Sequence, residues 1–325
     1  ALVIVFGLAA WSQSQFRAEG PLDEPLAFEV ERGELFNSVV DRLSDAGAIS
    51  NPRIFRVAAR YTDQDQGIRF GEYNIPAGAS MQDVLGLLNE GGNVFRQFVF
   101  AEGKTSWEVV QDLLAEEELT GEIAEVPPEG ALAPAGYDFH KGDTREELLA
   151  RMQEEQTRIL AEAWENRDPD IPISSPEELL ILASIVEKET GLPEERPEVA
   201  AVFVNRLRRG MRLQTDPTVI YGITNGEGPL GRGLRASELA TATPYNTYVI
   251  EGLPPTPIAN PGRAAIEAAA NPVESEYIFF VADGTGGHAF ARTLVEHNAN
   301  VVQWRRIEAE RARAAQESEQ EAANE

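Results

Sequence analysis

The chain has 325 residues, and its 28 Lys and Arg against 54 Asp and Glu leave a formal charge of −26 and a sequence pI near 4.5. A composition of 42% hydrophobic and 25% charged residues is that of folded protein, and the length suggests about two domains. So acidic a chain offers no field for phosphate backbones, which excludes nucleic acid as a partner. The absence of cysteine excludes disulfide scaffolds, thiolate zinc sites, iron–sulfur clusters and cysteine nucleophiles.

The first eleven residues, ALVIVFGLAAW, carry no charge and give way abruptly to a polar stretch. The run is shorter than the roughly 20 residues of a full span, and we read it as the outer half of a single membrane anchor with Trp11 at the interface. A buried strand or the remnant of a cleaved signal peptide is the alternative, and each of the membrane and signal readings places the rest of the chain outside the cytoplasm. LAFEV alternates like a strand from Leu26, and residues 35–45 have helical spacing, stopped by Gly47. A helix from Pro52, a short strand in GEYNI and a helix from Met81 come next, which makes a small α+β module suited to binding or spacing. The run VFRQFVF from Val94 reads as a strand, and SWEVVQDLLAEE as a helix capped by Thr105 or Ser106. Residues 126–144 read as an ordered Pro- and Gly-rich loop with a short strand, and residues 145–166 as a long amphipathic helix.

Ser175-Pro176-Glu177-Glu178 is a capping box that starts the helix ELLILASIVEKET, and Pro193 and Pro197 bracket the start of the next, which runs to Gly210. Residues 211–261 read as loop, ordered by their tyrosines and long enough to be functional. Asn260-Pro261 is expected to cap a short helix to Ala270. EYIFFVA and HAFARTL are expected to pair as a hairpin, and Thr293 with Glu296 to cap the terminal helix. The tail after Trp304 extends that helix and frays.

His140, His288 and His297 stand in no metal-ligand pattern and read as structural. The run Asp283–Gly287 lacks the Lys-Ser/Thr of a phosphate loop and reads as a hairpin turn. No GxSxG elbow is present. Glu187 and Glu189 are the informative pair. They end a helix that is otherwise nearly all apolar, where burial and the helix dipole both favour the neutral acid, the state required of a general acid. Two positions on a helix are about 200° apart, so only one of them faces a given cleft. The alternative is a solvated helix end with an ion pair to Lys188.

From this helix onward the sequence resembles the MltG, or YceG-like, family of endolytic murein transglycosylases. The resemblance is carried by LASIVEKETGLPEERPEVAAVFVNRLRRGMRLQTDPTVIYG from Leu182 to Gly222, by TPYNTY from Thr243, by GLPPTPIANPG from Gly252 and by VADGTGGHAF from Val281. It implies an α+β fold: a small LysM-like subdomain over 26–92, then a larger mixed α/β catalytic domain over 93–308 with a lysozyme-like active-site helix. An anchor at 1–11, a juxtamembrane linker at 12–25 and a polar tail at 309–325 complete it.

By the same resemblance Glu187 is the catalytic acid, cleaving the MurNAc-β-1,4-GlcNAc bond within glycan strands and leaving 1,6-anhydro ends. Gln214, Tyr245 and Asn246 are its substrate-positioning candidates, joined by Asn205, Asp216, Tyr221 and Glu189; structural loop roles are the alternative for Asn205 and Asp216. The implied partners are peptidoglycan strands, the bacterial inner membrane and peptidoglycan synthases, with the catalytic domain in the periplasm and no cofactor or metal. One departure is Pro134-Ala135-Gly136-Tyr137, where the family resemblance leads one to expect Pro-Asp-Thr-Tyr. A lysozyme-type hydrolase, with Asp216 or Glu189 supporting the sugar cation, and a non-catalytic glycan-binding scaffold are the competing readings.

Overall fold

The computed structural model describes residues 2–324, and they cluster into two compact units. The first is Ala1–Phe98 with Glu116–Glu122 and Gly136–Leu148, so segments from beyond residue 93 belong to it. It opens with α1, Leu2–Arg17, whose Phe16 packs on the core of this unit. The expected anchor over 1–11 falls on this helix; the side chains at 1–5, 8 and 9 lie outside those described. No helix among the described residues is long and apolar enough to cross a membrane.

The strand–helix–helix–strand order expected of the next segment is the one found. Strand β1, Leu26–Val30, is followed by α2, Phe36–Asp45, and α3, Pro52–Tyr61; β2, Gly71–Ile75, then returns antiparallel to β1 with Leu26 opposite Ile75 and Val30 opposite Gly71. The pleat turns Phe28, Val30, Tyr73 and Ile75 to one face, where α2, α3 and α4, Met81–Glu90, cover them with Leu43, Phe55 and Leu88. Asn51 caps α3 and the Ser80–Asp83 pair boxes α4. β3, Arg96–Val99, and β4, Gly136–Phe139, form a second two-stranded sheet.

The second unit is Val99–Ala115, Ile123–Ala135 and Leu149–Glu325. Its helix α5, Ser106–Ala115, is capped by Thr105, whose hydroxyl accepts from the Glu108 N–H while the Glu108 carboxylate accepts from the Thr105 N–H. α6, Arg145–Glu165, brings the chain in, and α7, Pro176–Glu189, lies at the centre, packed by three later helices: α8, Arg196–Arg208, α9, Asp216–Thr224, and α11, Arg263–Ala270. Leu179 and Ile181–Val186 of α7 are all buried, and each large aliphatic side chain among them contributes about 1.5–3 kcal/mol. Ser175 caps α7 as predicted, but the returning carboxylate of Glu178 accepts from the N–H and hydroxyl of Ser174, one residue earlier than a capping box requires.

The region 211–261 is less loop-like than its composition suggests, since it holds α9 and a short α10, Ala236–Ala240. Asn260 does not cap α11; Gly262 occupies that position, and the Asn260 side chain turns inward instead. β5, Phe279–Ala282, and β6, His288–Ala291, form the expected hairpin, with Asp283 N–H donating to the Gly287 carbonyl across the turn. α12, Leu294–Asn324, ends the chain's order of elements.

Candidate active site

The apolar run of α7 leaves its last turn as the place where polar groups meet the interior. Glu187 has a side chain only 5% exposed. Its Oε2 accepts the Gly262 backbone N–H at 2.9 Å, and its Oε1 accepts from Arg196 Nη2 at 3.3 Å. The same Nη2 donates to Glu102 Oε2 at 2.9 Å. Burial holds the Glu187 carboxyl above the ordinary carboxylate range; the Gly262 N–H pulls it down, Glu102 adds to the rise and Arg196 opposes it. The result is a carboxyl that keeps a proton more readily than a free side chain, yet has two donors in place for the anion.

The backbone around Glu187 is fixed by reciprocal bonds between two loops. Gly103 N–H donates to the Asn260 carbonyl at 3.0 Å, and Asn260 N–H to the Lys104 carbonyl at 2.9 Å. Asn260 is fully buried; its Oδ1 accepts from Leu132 N–H at 2.9 Å and its Nδ2 donates to the Lys104 carbonyl at 3.0 Å and to Ser106 Oγ at 3.2 Å. Lys188 does not pair with a carboxylate of its helix. It donates to the Gly103 carbonyl at 3.0 Å, which ties the end of α7 to the same loop.

Glu189 points elsewhere, as the helical geometry requires. It is partly buried, and the Thr215 hydroxyl donates to its Oε1. Burial raises its pKa, Thr215 opposes the rise and Asp216 adds to it. Thr215 leads into α9 next to Gln214, an exposed residue held at φ +49°, a left-handed conformation that non-glycine residues seldom adopt. Its neighbours pin it there: the Leu213 carbonyl accepts from the buried Arg206 Nη1 at 2.6 Å, and Thr215 N–H donates to Thr247 Oγ1 at 3.0 Å. Asp216 accepts from Tyr248 O–H at 2.6 Å.

Tyr221 and Tyr245 have half-buried rings with centroids 5.0 Å apart, and Tyr245 O–H meets Thr256 Oγ1 at 2.8 Å. Beside them Glu129 is drawn above the carboxylate range by burial, with the Ser106 N–H at 2.8 Å and the Tyr221 hydroxyl opposing. Asn246 and Asn205 are placed differently. The Asn246 amide is buried and donates to the carbonyls of Glu238, Leu239 and Thr241, which fastens the end of α10. Asn205 likewise donates to the carbonyls of Ser275 and Tyr277 at 2.8 and 3.0 Å.

Sequence reasoning missed Glu102, Arg196, Gly262 and Glu129. Arg196 lies within the quoted Glu-Arg-Pro run, and the preceding Glu195 is held by His288, whose Nδ1 lies 2.8 Å from its Oε2 and whose N–H donates to its Oε1 at 2.7 Å. His140 lies tilted against Phe95, and His297 stacks on Phe279. Among the described residues no group of three or more His, Asp or Glu is arranged to hold a metal ion.

The sequence model of the YceG-like family matches residues 28–303. The chain belongs to the YceG-like family. It is 38% identical over 172 residues to an endolytic murein transglycosylase of Bacillus subtilis, covering 53% of this chain and 46% of that protein. It is 28% identical over 323 residues to an endolytic murein transglycosylase of Streptococcus pneumoniae, covering 84% of this chain and 57% of that one. The chain therefore spans about half the length of the curated relatives it matches. A crystal structure of a yceG-like protein from Listeria monocytogenes shares the α+β fold, with a TM-score of 0.53 and 28% identity over 85% of this chain and 99% of that one.

Proposed function

We propose that this YceG-like chain is an endolytic murein transglycosylase with Glu187 as its general acid and base. The observation that carries the reading is the Glu187 carboxyl itself: buried, biased toward its protonated form, and supplied with the Gly262 N–H and Arg196 for the moment it ionises. Protonated Glu187 donates to the glycosidic oxygen as the MurNAc C1–O bond breaks. The resulting carboxylate then takes the proton of the muramoyl 6-hydroxyl as that oxygen bonds to C1. One proton passes from the 6-hydroxyl to the leaving GlcNAc, no water enters, and a 1,6-anhydro end remains, so one carboxylate serves both steps where most glycosidases use two. A positioned acid of this kind contributes about 10²–10⁴-fold in rate.

Gln214, exposed and held in a strained conformation, and the Tyr221–Tyr245 ring pair are the proposed glycan contacts. Asn246 and Asp216 act one layer back, by fastening the loops that present them, and Asn205 fastens the segment before β5. The family resemblance and the uncharged run at 1–11 support attachment to the inner membrane with the catalytic unit in the periplasm, a LysM-like role for the β1–β2 module, and peptidoglycan synthases as partners.

Mass spectrometry of uncrosslinked glycan strands, incubated with the wild-type protein and with Glu187→Gln, tests the assignment. New anhydro-muramoyl ends are expected from the wild type and none from the variant. Reducing ends in their place would make the protein a hydrolase, and no new ends from the wild type would refute the assignment.

A further inference from the structure

A buried carboxyl that lies 3.3 Å from a guanidinium nitrogen would ordinarily be held as a permanent anion, which is the wrong state for a group that must first donate a proton. The arrangement around Arg196 avoids this. Its side chain is 9% exposed, and a single nitrogen, Nη2, serves two carboxylates, the nearer being Glu102 at 2.9 Å. Its Nε is buried without a hydrogen-bond partner, so the fork is not engaged two-pronged with Glu187. Gly262 leaves room for Glu102 in this position: a Cβ there would lie 1.9 Å from Glu102 Oε1, on the same residue whose N–H grips Glu187.

Several other charged groups on the surrounding elements have partners of their own. On α7, Lys188 donates to the Gly103 carbonyl. On α11, Arg263 pairs with Glu162 at 2.9 Å and lies 3.7 Å from Glu155 and from Glu267. On α9, Asp216 accepts from Tyr248. The charges that act on Glu187 are those of Arg196 from α8 and Glu102 from the loop before α5.

Resting on the proposed role of Glu187, we infer that Glu102 is a positioning residue that draws the Arg196 guanidinium onto itself and so leaves Glu187 free to carry the proton it donates. Without the Glu102 charge, Arg196 has one anionic partner and pairs with Glu187 alone. The free enzyme then loses its protonated form at a lower pH, and the alkaline limb of kcat/KM moves down.

The test is Glu102→Gln, a substitution of equal size on a side chain 42% exposed to solvent. The pH profile of kcat/KM on uncrosslinked glycan strands should keep its acidic side and lose about 3- to 10-fold at a pH above the wild-type limb. Glu102→Asp, which keeps the charge, should return the limb toward the wild-type position. An unmoved limb would overturn the inference. So would a loss of turnover equal at every pH, since a group that only positions Arg196 leaves the low-pH rate intact. The carboxyl ¹³C shift of Glu187, titrated in wild type and Glu102→Gln, gives a reading that needs no turnover: its midpoint should fall in the variant. Failure of the anhydro-end assay with a falling midpoint would refute the proposed function and leave this coupling standing; an unchanged midpoint would refute the coupling alone.

Discussion

Replacing Asn260 by alanine removes a side chain that ties its own segment to those of Leu132 and of Lys104–Ser106. In the wild type its Oδ1 accepts the Leu132 N–H, and its Nδ2 donates to the Lys104 carbonyl and to Ser106 Oγ. The Lys104 carbonyl keeps the Asn260 backbone N–H at 2.9 Å, and Ser106 Oγ keeps the Pro128 carbonyl at 3.1 Å, so neither is orphaned in the variant. The Leu132 N–H is orphaned, inside a fully buried site. An unsatisfied buried donor costs about 1–3 kcal/mol, and each of the two lost donor bonds about 0.5–1.5 kcal/mol. The expected loss is therefore about 2–6 kcal/mol. Trp107, Trp164 and Trp304, three of the four tryptophans, lie in this unit, so urea unfolding followed by tryptophan fluorescence reports on it. Turnover of the folded fraction should fall as well, because the same segment carries the Gly262 N–H to Glu187. A stability loss below about 1 kcal/mol, with turnover unchanged, would refute the reasoning.

Two further outcomes rest on the same geometry. Because burial raises the Glu189 pKa, the native state holds that proton where the unfolded chain has released it, so its share of stability is lost as pH rises from the ordinary glutamate range through the raised value. The stability of Glu189→Gln minus that of wild type should accordingly increase from about pH 5 to pH 8 in urea titrations; a difference flat in pH would contradict this. Gly262→Ala fits the backbone at φ −73° but places a methyl 1.9 Å from Glu102 Oε1, and the half-exposed Glu102 side chain can swing into solvent. Its stability should change by less than about 1 kcal/mol, while the alkaline limb of its pH profile moves in the direction expected for Glu102→Gln.

The parts of this arrangement legible in the sequence were local. The serine cap, the proline and the apolar run of α7 define a buried helix, and the 200° between Glu187 and Glu189 separates them onto the two sides where they are found. The β1–β2 module was readable for the same reason, since its alternation and glycine stops lie within short windows. What was not readable spans distance: Glu102 reaches Arg196 across 94 residues, and Gly262 reaches Glu187 across 75. Residues 211–261 misled through composition. Their many Pro, Gly and Asn residues suggested continuous loop, although Pro217 sits in the first turn of α9; no side-chain cap marks that start, because the Thr215 hydroxyl is taken up by Glu189. Asn260 misled through type: Asn before Pro suggests a cap, but its amide is taken up by Leu132, Lys104 and Ser106.

The seat of Glu187 is made largely of main chain: the Gly262 N–H beneath it, the Gly103–Asn260 and Asn260–Lys104 pair behind it, and the Gly103 carbonyl that receives Lys188. Lys104 contributes its carbonyl there, and its ammonium turns away to Asp112. An engineer could thus redraw much of the exterior while retaining Glu102 and the glycine and asparagine positions that shape this cradle. Surface chemistry and proton chemistry meet, in this chain, at the half-exposed carboxylate of Glu102.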